Sequence, residues 1–364
     1  AADRTVAVPE VDRVLVDYRS GVSALRRGDD AEAKARLDDA IARIGGIIAN
    51  DEQAARARGL FSAEREKPFI GEPYERVMAY YYRGILYWRE GQPDNARACF
   101  RSGQVIDSDV GKEGYAADYV LLDYLDGLAS SRLAADGSDA LVRARAHAAG
   151  RVSLPDYNPE TNVLIFAEYG QGPRKVAAGQ YGEQLRFRTE ESVTRSARLI
   201  LDGGRRVVPL PAVDDLHFQA TTRGGRVMDH ILGNKAVFKA ATNVAGDVAL
   251  MGSAIAAQEA RHRAMTGRDD TGANNTALGL GILGLAGKIV SAATQTQADT
   301  RQWDNLPQRL AFAAVKLPAG EHQGRVEFLD RNGAVLAART RSVAFTVSAE
   351  PGRDTVVFLS ELPR

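Results

Sequence analysis

The chain has 364 residues, 45% of them hydrophobic and 26% charged, which is enough apolar material for packed cores and excludes a disordered or low-complexity protein. Its 47 Lys and Arg balance 47 Asp and Glu, so the formal charge is zero and no cationic surplus marks it for nucleic acid. The single cysteine, Cys99, excludes an intrachain disulfide and a Cys-rich zinc site.

A chain of this length predicts two or three domains. It opens AADRTVAVPEVD, with no basic stretch, apolar stretch or cleavage site, which fits either a cytosolic chain or one whose export signal has been removed. From about residue 11 to 149, apolar residues recur at spacings of three and four, which predicts helices. Within this stretch Gly84, Tyr87, Gly91, Ala96 and Phe100 stand at tetratricopeptide offsets, with Gly84 and Ala96 as close-approach points and Phe100 as a core plug. A weaker copy runs through Gly21, Gly28, Ala33, Leu37 and Ala40, and a degenerate third lies between Asp118 and Gly150, turning at Asp136-Gly137. Gly21 and Gly84 are too far apart for a single repeat, which predicts an insertion at about 50–73 that opens as a charged helix and stops at Pro68, Gly71 and Pro73.

Stacked helical repeats leave a concave surface free to bind. In the better copy that surface takes Tyr81, Ile85, Trp88 and Arg89, and in the first copy Tyr18, Val22, Leu25 and Arg26. Aromatic and Arg side chains are common interface anchors, which makes these eight residues a candidate partner groove. The alternative is that Tyr81 and Trp88 contact the inserted segment or another domain of the same chain.

After Leu154-Pro155 the period falls to two. Strands are predicted at 162–170, 196–204 and 205–211, and near the end in RLAFAAVKL, GRVEFLD, GAVLAAR, SVAFTVS and DTVVFLS, with a turn at Asn332-Gly333 joining the second and third of these. Both ends of this half are expected to form one β-sandwich-like domain. Between them, 226–303 is Ala- and Gly-rich and is expected to form a long helical hairpin. The string GLGILGLAG at 279–287 follows no strand, so it lacks the setting of a dinucleotide loop, and Gly287-Lys288 lacks the Ser or Thr of a phosphate loop. Gly279, Gly281, Gly284 and Gly287 are instead candidate helix contacts, in buried or intersubunit packing first and in a membrane second.

The expected architecture is therefore α+β. Residues 1–153 form a helical repeat domain, 154–225 with 304–364 a β-rich domain, and 226–303 the hairpin. The five histidines show no paired spacing, there is no GxSxG elbow, and no catalytic residue, cofactor or metal ligand is assigned. Gly170, Gly172, Arg174 and Lys175 form a candidate anion-binding loop of backbone N–H groups and cations, or a plain turn. At 299–307, Trp303 is expected to be a buried anchor with Asp299 and Arg301 as hydrogen-bonding partners.

In sequence order, KPFIGEPYERVMAYYYRGILYWREGQPDNARACF, YAADYVLLDYLDGLA, NVLIFAEYGQGPRK and ADTRQWDNLP, with the Ala/Gly-rich hairpin, resemble a family of poorly characterised bacterial envelope lipoproteins with tetratricopeptide-like N-terminal helices. The resemblance implies export to the periplasm, outer-membrane attachment through a lipidated N-terminal Cys that is removed or replaced here, and no enzyme activity. The expected function is a non-enzymatic periplasmic scaffold or adaptor. It binds other envelope proteins or lipoproteins, forms a homo-oligomer and does not bind nucleic acid. The alternative is an oligomeric or membrane-inserting assembly component that works through the hairpin.

Overall fold

The computed structural model describes residues 8–58, 67–108, 118–179, 192–222 and 298–363, together with 182, 184–188 and 190. Three helix pairs come first: α1 (Arg13–Arg27) with α2 (Asp30–Arg58), α3 (Pro73–Arg89) with α4 (Pro93–Asp107), and α5 (Val120–Arg132) with α6 (Ser138–Ala148). Gly28 and Gly91 make the first two turns at φ +80° and +77°, a backbone region that disfavours a side chain. The pairs are held at glycines. A Cβ on Gly21 would stand 3.0 Å from Leu37, and one on Gly84 only 2.5 Å from Phe100, the same number of positions further on. Gly103 meets Leu122 in the same way between pairs, at 3.0 Å.

Pro73 starts α3 rather than stopping a helix. It occupies the first turn, where its missing N–H costs nothing, behind a capping box of Glu72 and Glu75. The charged helix at the start of the expected insertion is the continuation of α2 to Arg58. Residues 59–66 lie outside the described part.

The strands are β1 (Val163–Gln171), β2 (Arg174–Ala178), β3 (Gln184–Arg188), β4 (Ser196–Leu201), β5 (Arg206–Leu210), β6 (Ala212–Asp215), β7 (Pro307–Val315), β8 (Gly320–Leu329), β9 (Arg341–Val347) and β10 (Thr355–Ser360), with a short helix α7 (Leu216–Thr221) after β6. They form one sheet in the order β10-β1-β7-β6, a second in the order β5-β4-β8-β9, and a ribbon of β2 and β3. Both large sheets combine strands from before and after the 223–297 stretch. The chain is thus α+β, with helices gathered in the first half and sheets in the second.

Alternation along β1 organises the layers. Leu164 and Phe166 join the helices, Trp303 and Phe312 in one apolar core. Val163, Ile165, Ala167 and Tyr169 join Leu199, Leu201, Val326 and Phe328 of the second sheet in another. The first sheet is therefore a middle layer, buried on both faces, and β1 has eight consecutive buried residues where a half-exposed strand would alternate. The apolar core does not stop at residue 154.

Other differences from the sequence pattern are local. GAVLAAR is not a strand: it makes a single bridge, Leu329 to Val335, then a 3-10 turn at Ala337–Arg339, and β8 pairs with β9 instead. Its small residues leave little to pack on a sheet, and Val335 is exposed. The β2–β3 ribbon, β6 and α7 fall where no strand or helix had been marked. Most of the expected 226–303 hairpin lies outside the described residues, and the part that is described, 298–303, is irregular rather than helical.

Candidate functional site

The residues expected to line a partner groove face the chain's own sheet. Tyr18, Val22, Leu25, Arg26, Tyr81, Ile85 and Trp88 are all buried. Tyr18 stacks on Trp303 at 4.3 Å with the rings 11° from parallel, and Tyr81 meets Phe166 edge-on. Trp88 Nε1 donates to Asp354 at 3.0 Å just before β10, and Arg132 donates to the same carboxylate. Arg89 is spent on Asp30 between α3 and α2. The groove expectation is corrected on this point: seven of the eight side chains are buried within the chain, and Arg89 alone keeps some exposure, paired with Asp30. Of the two readings of Tyr81 and Trp88, contact with another part of the same chain is the one found.

The centre of this seam is Glu168 on β1, fully buried. Its carboxylate accepts from Arg26 Nε at 2.6 Å, Tyr82 Oη at 2.6 Å and Ser360 Oγ at 2.7 Å. Burial is the largest single influence and opposes the Arg26 charge, but the Glu168 carboxylate and Tyr82 together outweigh it and hold the guanidinium pKa above its ordinary value. Trp303 is a buried anchor as expected, its backbone N–H donating to Glu75 Oε1 at 2.7 Å. Arg301 forks onto Asp299 and reaches Asp12 and the Val11 and Lys67 carbonyls.

The Gly170–Lys175 stretch does present N–H groups and a cation to anions, but the anions are internal. Gly170 N–H donates to Glu361 at 2.7 Å, and Lys175 Nζ lies 2.5 Å from Glu75, with both side chains buried. Gly172 N–H donates to the Leu306 carbonyl, and Arg174 reaches Glu190 on the surface at 4.0 Å. Gly172 also needs to be small, since a Cβ there would stand 2.9 Å from the Leu306 oxygen. Gly279, Gly281, Gly284 and Gly287 lie outside the described residues.

An open concavity lies on another face of the helices. It is a shallow cleft of about 370 Å³ lined by Arg101, Gln104 and Val105 of α4, Asp123 and Asp126 of α5, and Arg143 and His147 of α6. Each helix contributes residues three or four apart, so they share a face. Asp123 is buried at the floor, 3.2 Å from Arg143 Nε and 3.1 Å from His147 Nδ1. Asp126 takes Arg97 at 3.3 Å and Arg143 at 3.5 Å. Burial pushes the Asp123 carboxyl above the usual range, and Arg143 followed by His147 draws it back. The acids are thus sunk and paired while the cations lie outside them. Arg143 keeps half its side chain in solvent, and Arg101 is exposed with no ion pair among the described residues. Val105 and Val142, 71% and 66% exposed, add apolar surface on α4 and α6.

The cleft's lining offers an Asp–His pair but no hydroxyl or thiol for it to activate. Cys99 is buried elsewhere on α4, and burial pushes its thiol up to about 12, away from the reactive thiolate. A second, apolar cavity of about 40 Å³, between Leu121, Tyr124, Leu154 and Phe312, is too small for a ligand larger than water. Sequence reasoning missed the cleft, although its signal was available: Asp123 and Asp126 are charged residues within α5, where every residue from Val120 to Ser130 is buried.

Among the described residues no group of three or more His, Cys, Asp or Glu is placed to hold a metal ion, and no helix is long and apolar enough to cross a membrane. Comparison with known proteins adds no assignment: no family model, curated protein or solved structure matches the chain.

Proposed function

We propose that this protein is a non-enzymatic, outer-membrane-associated scaffold or adaptor of the bacterial envelope, built from tetratricopeptide-like helix pairs on a β-sandwich-like body. The glycine contacts at matching positions of the first two pairs support the repeat reading, and the core shared by the two large sheets supports the sandwich reading. The envelope and lipoprotein setting rests on the sequence resemblance.

The observation that carries the adaptor role is the unequal use of the helix surface. One side is sealed by the chain's own sheet, and the α4–α6 side keeps an open cleft with cations outermost and apolar side chains exposed nearby. The chemistry that fits is an amphipathic segment of another envelope protein. Its carboxylates meet Arg101, Arg143 and His147, and its apolar side chains meet Val105 and Val142.

The test is crosslinking in intact bacterial cells, with mass spectrometry of what is captured, comparing the native chain with an Arg101→Glu, Arg143→Glu variant. Partners lost in a folded variant support the cleft as the adaptor surface. Unchanged capture overturns it.

A further inference from the structure

The two large sheets end differently on their two sides. On one side lie β5 and β6. Proline 209 sits inside β5, where it removes a donor, and β6 is four residues long with a register break between Ala212 and Asp214. Both are common ways of blunting an exposed edge.

On the other side lie β9 and β10, and neither carries such a device. β9 runs unbroken through seven paired residues, with no proline and no charge between Ser342 and Val347. Among the described residues its outer edge pairs with nothing. We infer that β9 is the edge through which two copies of this chain pair, antiparallel about a twofold axis at Ala344.

Three observations favour a second copy as the occupant. The first is self-complementarity. Pairing about Ala344 sets Ser342 opposite Thr346 and Val343 opposite Phe345, so no like charges meet along the strand. The exposed side chains at 342, 344 and 346 are all small. The second is charge at the strand ends. Arg341 donates only to the Ala338 and Thr340 carbonyls and has no carboxylate partner among the described residues, and the pairing carries it toward the end where Glu350 of the second copy stands, an exposed carboxylate that meets only Arg353 at 3.4 Å among the described residues. The third is continuity. Val343 and Phe345 are only partly buried against the core between the sheets, and a second copy extends that core across the axis. This inference does not depend on the cleft or on the adaptor reading.

Opposed Cα atoms in an antiparallel pair stand about 4.5–5.5 Å apart, within reach of a disulfide. The experiment oxidises three single-cysteine additions to the full chain, in which Cys99 is buried. Ala344→Cys is expected to form a covalent dimer. Ser342→Cys alone is expected not to, but to crosslink when mixed with Thr346→Cys. In sedimentation, Ala344→Lys and Ala344→Glu are each expected to weaken self-association about tenfold, and mixing the two to restore it. A native chain that stays monomeric, an Ala344→Cys variant that does not crosslink, or Ser342→Cys crosslinking equally well alone overturns the proposal. Since 344 is exposed, these changes leave the β8 ladder and the core in place.

Discussion

Two faces of the same helix stack carry similar chemistry to opposite ends. On the sheet side, Arg26, Tyr18, Tyr81, Tyr82 and Trp88 are buried and each is answered by a residue of the C-terminal half. On the α4–α6 side, Arg101, Arg143 and His147 are left partly in water over a buried acidic floor. Aromatic and Arg-rich helix faces therefore mark an interface without saying whether its other side is a partner or the same chain. What separates the two here is whether a buried counter-charge arrives from a distant part of the sequence.

The comparison is most directly broken at Glu168. Glu168→Ala leaves Arg26 buried without its carboxylate and Tyr82 without its acceptor, which is expected to cost about 3–5 kcal/mol in denaturant unfolding. Replacing both members, with Arg26→Met and Glu168→Leu, is expected to recover most of that loss. A single variant within about 1 kcal/mol of native would mean that the seam is not held by this pair.

A second handle is pH. Asp214 on β6 accepts from the Val120 and Leu121 N–H groups at the start of α5, at 3.1 and 2.8 Å, and burial pushes its carboxyl up to about 7. The folded chain holds this proton where the unfolded chain has already released it near pH 4. Its contribution to stability is therefore full below about pH 4 and is lost as pH rises to about 7, on the order of 2–4 kcal/mol. Asp17 and Asp123, also raised by burial, act in the same direction. Unfolding measured from pH 4 to 8 is expected to show a smaller fall for Asp214→Asn than for the native chain. Equal slopes would assign the pH dependence elsewhere.

Within the helix stack, Gly84→Ala pushes a methyl against the Phe100 ring and is expected to lower stability by about 1–3 kcal/mol. The smallest effect belongs to the cleft. Arg101→Ala, at an exposed guanidinium with no ion pair among the described residues, is expected to change stability by less than about 1 kcal/mol while still reducing partner capture, which separates a binding face from a structural one. A larger loss of stability would make the cleft another internal joint.

Much of the helical half was legible because glycine contacts leave a spacing that survives in sequence: Gly84 with Phe100 and Gly21 with Leu37 were marked by offset alone. The strands with two-residue alternation, β4, β8, β9 and β10, were legible for a similar reason. What the pattern could not carry was depth. β1 reads as a strand, but that both its faces are covered follows only from the arrival of the helices. The role of Glu75 was hidden too: its capping role is local, while its buried contacts with Lys175 and the Trp303 backbone come from far along the chain. GAVLAAR was misjudged as a strand because an Asn-Gly turn after a strand signals a hairpin, whereas the partner of β8 begins further on, at Arg341.

The parallel pairing of β1 with β10 has a consequence for how the molecule is made. During synthesis the helices and β1 leave the ribosome long before Thr355–Ser360, so the middle sheet stays open at that edge until β10 emerges. Until then Glu168 lacks Ser360, and Trp88 and Arg132 lack Asp354. Chains cut short before Asp354 should therefore keep helical signal while binding dyes that report exposed apolar surface, and the slowest step in refolding should be the docking of the C-terminal strand.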